Sequence, residues 1–165
     1  MTAHGTSTRA ALSDRSPPIV LGSTAVAQTG AVVAAVSFTW VGMVLAISFL
    51  EAPLKFRAPG VTVPLGLGIG RLVFRALNRV EMVLLVLALA GVAVAPRPAL
   101  VGLAAALAVL VGVQLGGVRP TLNRRSDRVL AGEELPRSRG HLVYVALEVA
   151  KVVLLLALGT VALAG

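Results

Sequence analysis

Hydrophobic and polar positions along this chain fall into long apolar blocks separated by short basic connections, a spacing that suits membrane crossings better than half-buried surface helices. The first block, residues 19–50, carries no charge and exceeds the roughly 20 residues one crossing needs. A helix is predicted at about 29–50, after a polar, Ser/Thr-rich tail over 1–24 that Pro17 and Pro18 close. The tail is expected to be disordered. It is long and polar for a signal-peptide n-region, so the helix is expected to be retained.

The second helix is predicted at about 67–95. Its apolar part, 80–95, is short for a crossing, and extending it back takes in Arg71, Arg75, Asn78 and Arg79, with Glu81 at the start of the apolar part. These first turns are expected in the headgroup layer or along a cleft, the arginines snorkelling to water. Pro96 and Pro98 end the helix. The third, 99–118, is uncharged. The fourth, 142–164, follows a basic loop, 119–141, in which 122–130 has the makings of a short interfacial helix. The predicted fold is all-α, a four-transmembrane-helix bundle in a single membrane domain over 25–165.

Composition narrows the function classes. A mean hydropathy of +0.92 with only 13% charged residues excludes an ordinary soluble domain. Cysteine is absent, which removes disulfides, thiolate metal sites and cysteine nucleophiles. Two histidines, His4 and His141, cannot build a multi-histidine metal centre. The net charge of +8 sits beside apolar segments, so it points to the bilayer and its anionic headgroups as partners, and away from nucleic acid. Loops 51–66 and 119–141, with the start of helix two, hold eleven Lys/Arg, against Arg9, Arg15 and Arg97 elsewhere. The positive-inside rule then predicts a multi-pass protein of the inner cell membrane, with those loops cytoplasmic and both termini outside.

The strongest chemical signal is a pair of charges deep in helix four, where an ionised group normally faces a protein interior or polar cavity. His141, Tyr144, Glu148 and Lys151 share one helical stripe, with mostly apolar neighbours around it. Glu81, Asn78, Tyr144, Glu148 and Lys151 are the predicted polar interhelical site. Two roles stay open. Glu148 is a proton or cation site with Lys151 as counter-charge and Tyr144 as hydrogen-bond partner, or Glu81 and Glu148 pair with Arg75 or Lys151 only to fix packing. On helix one, Ser37, Trp40, Val44, Ser48 and Glu51 share a stripe, and Pro53 is expected to end or kink the helix. Glu51, Lys55, Arg71 and Arg75 form a predicted cytoplasmic mouth. Simple interfacial anchoring is the alternative, since an exposed Glu–Lys pair contributes about 0–1 kcal/mol. Gly66, Gly68 and Gly70 lack the spacing of a phosphate loop and read as close packing or a flexible helix entry. Gly112 and Gly116, with Ala105 and Ala108, are expected to form close-packing faces that also permit a homodimer, and Gln114 to bond between helices.

The halves also align at an offset of 67: Pro53 falls on Pro120 and Glu81 on Glu148. Two tandem two-helix repeats would share one topology, related by a pseudo-twofold axis along the membrane normal, and would bring the two acids face to face.

Trp40, then Glu51-Ala-Pro-Leu-Lys-Phe56, Gly70-Arg-Leu-Val-Phe74 and Asn78-x-x-Glu81 resemble segments of small bacterial integral membrane proteins of unknown function. The layout also resembles CopD-type copper-resistance proteins and, more distantly, HemJ-type protoporphyrinogen oxidases. That resemblance implies copper handling or haem ligation, yet this chain has no intramembrane histidine beyond His141, and Met1, Met43 and Met82 make no cluster. No ligand residue is carried over, no metal or catalytic residue is assigned and no cofactor is predicted. The leading expectation is a protein that binds or passes a small solute or ion at the polar site, with protonation of one acid as the coupling step. A non-transporting accessory or assembly protein is the alternative. A membrane enzyme on a lipid-soluble substrate ranks third.

Overall fold

The computed structural model describes residues 21–133 and 140–164, without the side chains of 21–23 and 141. Most of the 1–24 tail, His4, Arg137, Arg139 and the His141 side chain lie outside the described residues. Helix α1 (Leu21–Val44) runs on through a π segment (Leu45–Glu51), one α turn (Ala52–Leu54) and a 3-10 turn (Lys55–Arg57). Helix α2 is Val63–Val94. Helix α3 (Pro98–Val113) continues through a second π segment (Gln114–Val118) into α4 (Arg119–Leu130), and α5 is Gly140–Leu163. Four stretches, Thr24–Arg57, Val63–Val94, Pro98–Leu130 and Leu142–Leu163, are long and apolar enough to cross a membrane. The molecule is a multi-pass four-helix bundle.

Each span buries one stripe at spacings of three and four. Val33, Ser37, Trp40 and Val44 face inward from α1, and Leu77, Glu81, Leu85, Ala88 and Val92 from α2. Leu100, Ala104, Leu107 and Val111 do so from α3, and Tyr144, Glu148, Lys151, Leu155, Leu158 and Ala162 from α5. Large apolar side chains such as Val32, Leu72, Val86, Val109 and Val153 stay exposed on the outside, as a lipid-facing surface requires. Helix α1 packs on α2 and most extensively on α5, and α3 packs on the same two neighbours.

The helices run further than the apolar blocks suggest. Ala52 N–H bonds to Ile47 O and Arg119 N–H to Gln114 O, both five residues back and both one residue before a proline. A proline ring crowds the carbonyl four residues back and offers no N–H. Widening the preceding turn relieves that conflict. Pro53 therefore neither ends the helix nor replaces it with a loop, and the short helix expected at 122–130 begins earlier, at Arg119, continuous with the third span. At the start of α2, the Thr62 hydroxyl accepts from Leu65 N–H at 3.4 Å and Pro64 occupies the first turn, which moves the beginning from 67 back to Val63. At the opposite end, Arg97 donates to the carbonyls of Val161 (2.9 Å) and Ala162 (3.3 Å), capping α5.

Close approach between the spans is set by glycines other than Gly112 and Gly116. A Cβ on Gly112 or Gly116 would meet nothing within 4 Å, so these positions lie on the outer surface and bring no helices of this chain together. On Gly30 a Cβ would lie 2.5 Å from Ala162 O, on Gly91 2.6 Å from Val33 Cγ2, and on Gly159 2.9 Å from the Phe38 ring. Gly30→Val is therefore expected to lower the thermal midpoint of the detergent-solubilised protein by several degrees, since overpacking costs about 1–3 kcal/mol. Gly102→Ala, where an added Cβ meets nothing, should leave the midpoint unchanged or slightly raised. Equal midpoints for the two variants would contradict a tight α1–α5 crossing.

Candidate functional site

Lys151 projects from the inner stripe of α5 and is 0% exposed. Its ammonium lies 2.6 Å from Glu81 Oε1 and 3.2 Å from Glu148 Oε1. Trp40 Nε1 donates to Glu81 Oε1 at 3.0 Å. Gln114 Nε2 donates to Glu148 Oε1, and Ser48 Oγ to Glu148 Oε2 at 3.3 Å. Removing such ions from water costs several kcal/mol each, and attraction offsets this only when the remaining lone pairs and protons are also bonded. Here α1, α2, the two π segments and α5 each supply a member. The π segments contribute directly: Ser48 lies in the first, and Gln114 opens the second.

Beyond Glu148 the bundle opens, at its basic end, into a cleft of about 530 Å³, a size typical of small-molecule sites. Glu148, Tyr144, Ser48 and Asn78 line it, together with four cations: Lys55, Arg71, Arg75 and Arg119. Glu81, Lys151 and Trp40 are not among its walls. The predicted polar site thus divides in two. Glu81 and Lys151 form a closed core pair, Tyr144 and Asn78 belong to the cleft, and Glu148 belongs to both. Asn78 Oδ1 is buried without a hydrogen-bond partner.

The predicted mouth is also sorted by the structure. Lys55 is held 3.3 Å from Glu51 and lies 5.4 Å from the centre of the Phe74 ring and 5.7 Å from that of Phe56. Gly66 and Gly70 make room for this segment: a Cβ on Gly70 would come within 2.8 Å of Lys55 Nζ, and one on Gly66 would overlap the Phe56 ring. Close packing is thus what these glycines provide. Arg71 pairs with Asp127, tying α2 to α4. Arg75 is exposed along the cleft with no acidic partner among the described residues.

Arg119 is a cleft residue that the sequence conceals, because it stands among the cations of the basic stretch. It is 8% exposed. Its NH1 donates to Phe74 O at 3.2 Å and its NH2 to the Tyr144 hydroxyl at 3.0 Å. The guanidinium carbon lies 4.8 Å from the Phe74 ring centre and 5.3 Å from that of Tyr144, and the two rings meet edge-on at 5.7 Å. Its Nε is buried without a partner. The available signal was its position at the end of an uncharged span, directly before Pro120, where the other half has Ala52 before Pro53.

No family model, curated protein or solved structure matches the chain. The likeness to CopD-type and HemJ-type proteins finds no support there, so the site is interpreted from its geometry.

Lys151→Met is expected to cost about 3–5 kcal/mol of stability, because it strands two carboxylates in the core. Adding Glu81→Gln should recover much of that loss. Unfolding of the parent, both single variants and the double variant in detergent measures it, and strictly additive losses would show the groups to be uncoupled.

Proposed function

We propose that this protein binds or passes a small solute or ion through the cleft, with Glu148 as the exchangeable group at its floor. The observation that supports this reading is continuity: one carboxylate belongs both to the buried Lys151 cluster and to the wall of the open cleft. Ionised groups inside a span that also border a polar cavity are functional candidates on physical grounds. The packing-only reading is favoured for one part of the cluster. Glu81, Lys151 and Trp40 are sealed from the cleft and serve as the fixed frame that holds Glu148.

The same proposal places the protein in the inner membrane with its cleft facing the cytoplasm. Among the described residues, the cleft end carries every exposed Lys/Arg and the other end only Arg97. We further read the two halves as a tandem repeat. At the offset of 67, buried Val33, Ser37, Trp40 and Val44 fall on buried Leu100, Ala104, Leu107 and Val111, and the bond from Ala52 to Ile47 falls on that from Arg119 to Gln114.

Glu148→Gln is expected to insert normally and to lose pH-dependent ligand retention, followed by native mass spectrometry of co-purifying small molecules from mildly acidic to mildly alkaline conditions. A flat pH response in the parent, or a full response in the variant, overturns the role of Glu148. Orientation has its own test, clean because the chain lacks cysteine. Ala58→Cys and Ala131→Cys should resist a membrane-impermeant maleimide in intact cells, while Pro96→Cys should react. The reverse labelling pattern would invert the topology.

A further inference from the structure

Four cations surround the cleft, but they are not equivalent. Lys55 and Arg71 already face Glu51 and Asp127. Arg75 and Arg119 form no ion pair among the described residues, although Glu148 borders the same space. Arg119 is more than nine-tenths buried, is held in place by two hydrogen bonds and two aromatic rings, and still leaves its Nε unpartnered. A buried, fixed guanidinium with a spare donor is costly unless something accepts from it, and a planar anionic group does so best. Much of the remaining wall is apolar: Phe49, Phe56, Leu67, Phe74 and Leu122 line the same space, and Glu148 is the one acid among the described residues that borders it.

Resting on the reading of the cleft as a solute site, we infer that its ligand is an amphipathic organic anion. Its carboxylate or phosphate head lies between Arg119 and Arg75, and its hydrocarbon body lies along the phenylalanines. Asn78 and Tyr144 border the head and offer it further polar contact. A bare inorganic anion would leave the aromatic wall unfilled, and a cation would meet four basic side chains against a single carboxylate, Glu148, that Lys151 already engages. Such an anion can come from the bilayer, as an acidic phospholipid, or from water, as a free fatty acid.

The test is native mass spectrometry of the full chain in neutral detergent, titrated separately with phosphatidylglycerol, phosphatidylcholine, oleate, inorganic phosphate and a long-chain alkylammonium. One phosphatidylglycerol or oleate per chain is expected, at least tenfold tighter than phosphatidylcholine, phosphate or the alkylammonium. Preference for phosphatidylglycerol identifies a bilayer source and preference for oleate a free amphiphile; either supports the inference. Arg75→Gln should weaken binding at least tenfold. Arg79→Gln, one turn further along α2 and outside the cleft wall, should not. Arg119→Gln should weaken it further, and if that variant fails to fold, the Arg75 and Arg79 comparison stands alone. Equal losses for Arg75→Gln and Arg79→Gln, or no preference for anions, overturns the inference. Tight, Glu148-dependent binding of the alkylammonium would reject the anion while keeping the solute site. No specific binding of any probe, together with an unaltered pH response in Glu148→Gln, would reject both.

Discussion

A single ammonium group shared by two carboxylates constrains everything else in this bundle. Apolar side chains in a membrane gain little from facing one another in preference to lipid, so an apolar stripe alone specifies neither rotation nor register well. Lys151 does specify them. It draws Glu81 from α2 and Glu148 from its own helix, and through those acids engages Trp40 of α1 and Gln114 at the end of α3. Sliding any helix by one residue moves a side chain by about 1.5 Å along the axis and about 100° around it, enough to take a donor away from its acid. Close-packed glycines at positions 30, 91 and 159 then hold the register by shape.

The two π segments connect this constraint to the cleft. Each precedes a proline, and each carries a donor, Ser48 or Gln114, to the same carboxylate. The offset of 67 makes plain how unevenly the halves have been used. Lys151 falls on Leu84, Tyr144 on Leu77, Gln114 on Ile47 and Arg119 on Ala52. The second half supplies Gln114, Arg119, Tyr144, Glu148 and Lys151, and the first Trp40, Ser48, Arg75, Asn78 and Glu81, so that only the two acids coincide at the offset. On the reading of the halves as a repeat, these differences leave the bundle one cleft where a symmetric pair would carry two.

Much of this was legible in the sequence, and the rest was hidden for identifiable reasons. Charges three and four residues apart inside an apolar run announce an inward stripe, so Tyr144, Glu148 and Lys151 could be placed before any coordinates. Three spans followed from block length, and the second from extending a short apolar part back through Arg71, Arg75, Asn78 and Arg79. Helix ends did not, because proline reads as a stop until an upstream π turn accommodates it. The partition of the charges was also invisible: a basic residue at a span end serves topology equally well whether it points outward, as Arg79 does, or inward, as Arg119 does. Small-residue faces misled for a related reason. Gly112 and Gly116 have the composition of a packing face, but only the fold decides which glycine meets a neighbour's backbone.

On the proposed reading Glu148 is the exchanging acid, and the distances around Lys151 favour it over Glu81. The ammonium is nearer to Glu81 than to Glu148, 2.6 Å against 3.2 Å, and the indole of Trp40 secures that closer acid. Lys151 and Glu81 therefore make a neutral pair that stays compensated whatever happens at Glu148. Two of the donors that hold Glu148, Ser48 and Gln114, are uncharged, so neutralising its carboxylate removes one of the two ion pairs of Lys151 and leaves the shorter one, to Glu81, in place. Neutralising Glu81 would instead leave the ammonium relying on the more distant acid at the cleft wall. On the proposed reading, the acid that changes its charge is the one that borders the cleft, and the shorter Lys151–Glu81 pair is what would keep the helices in register when it does.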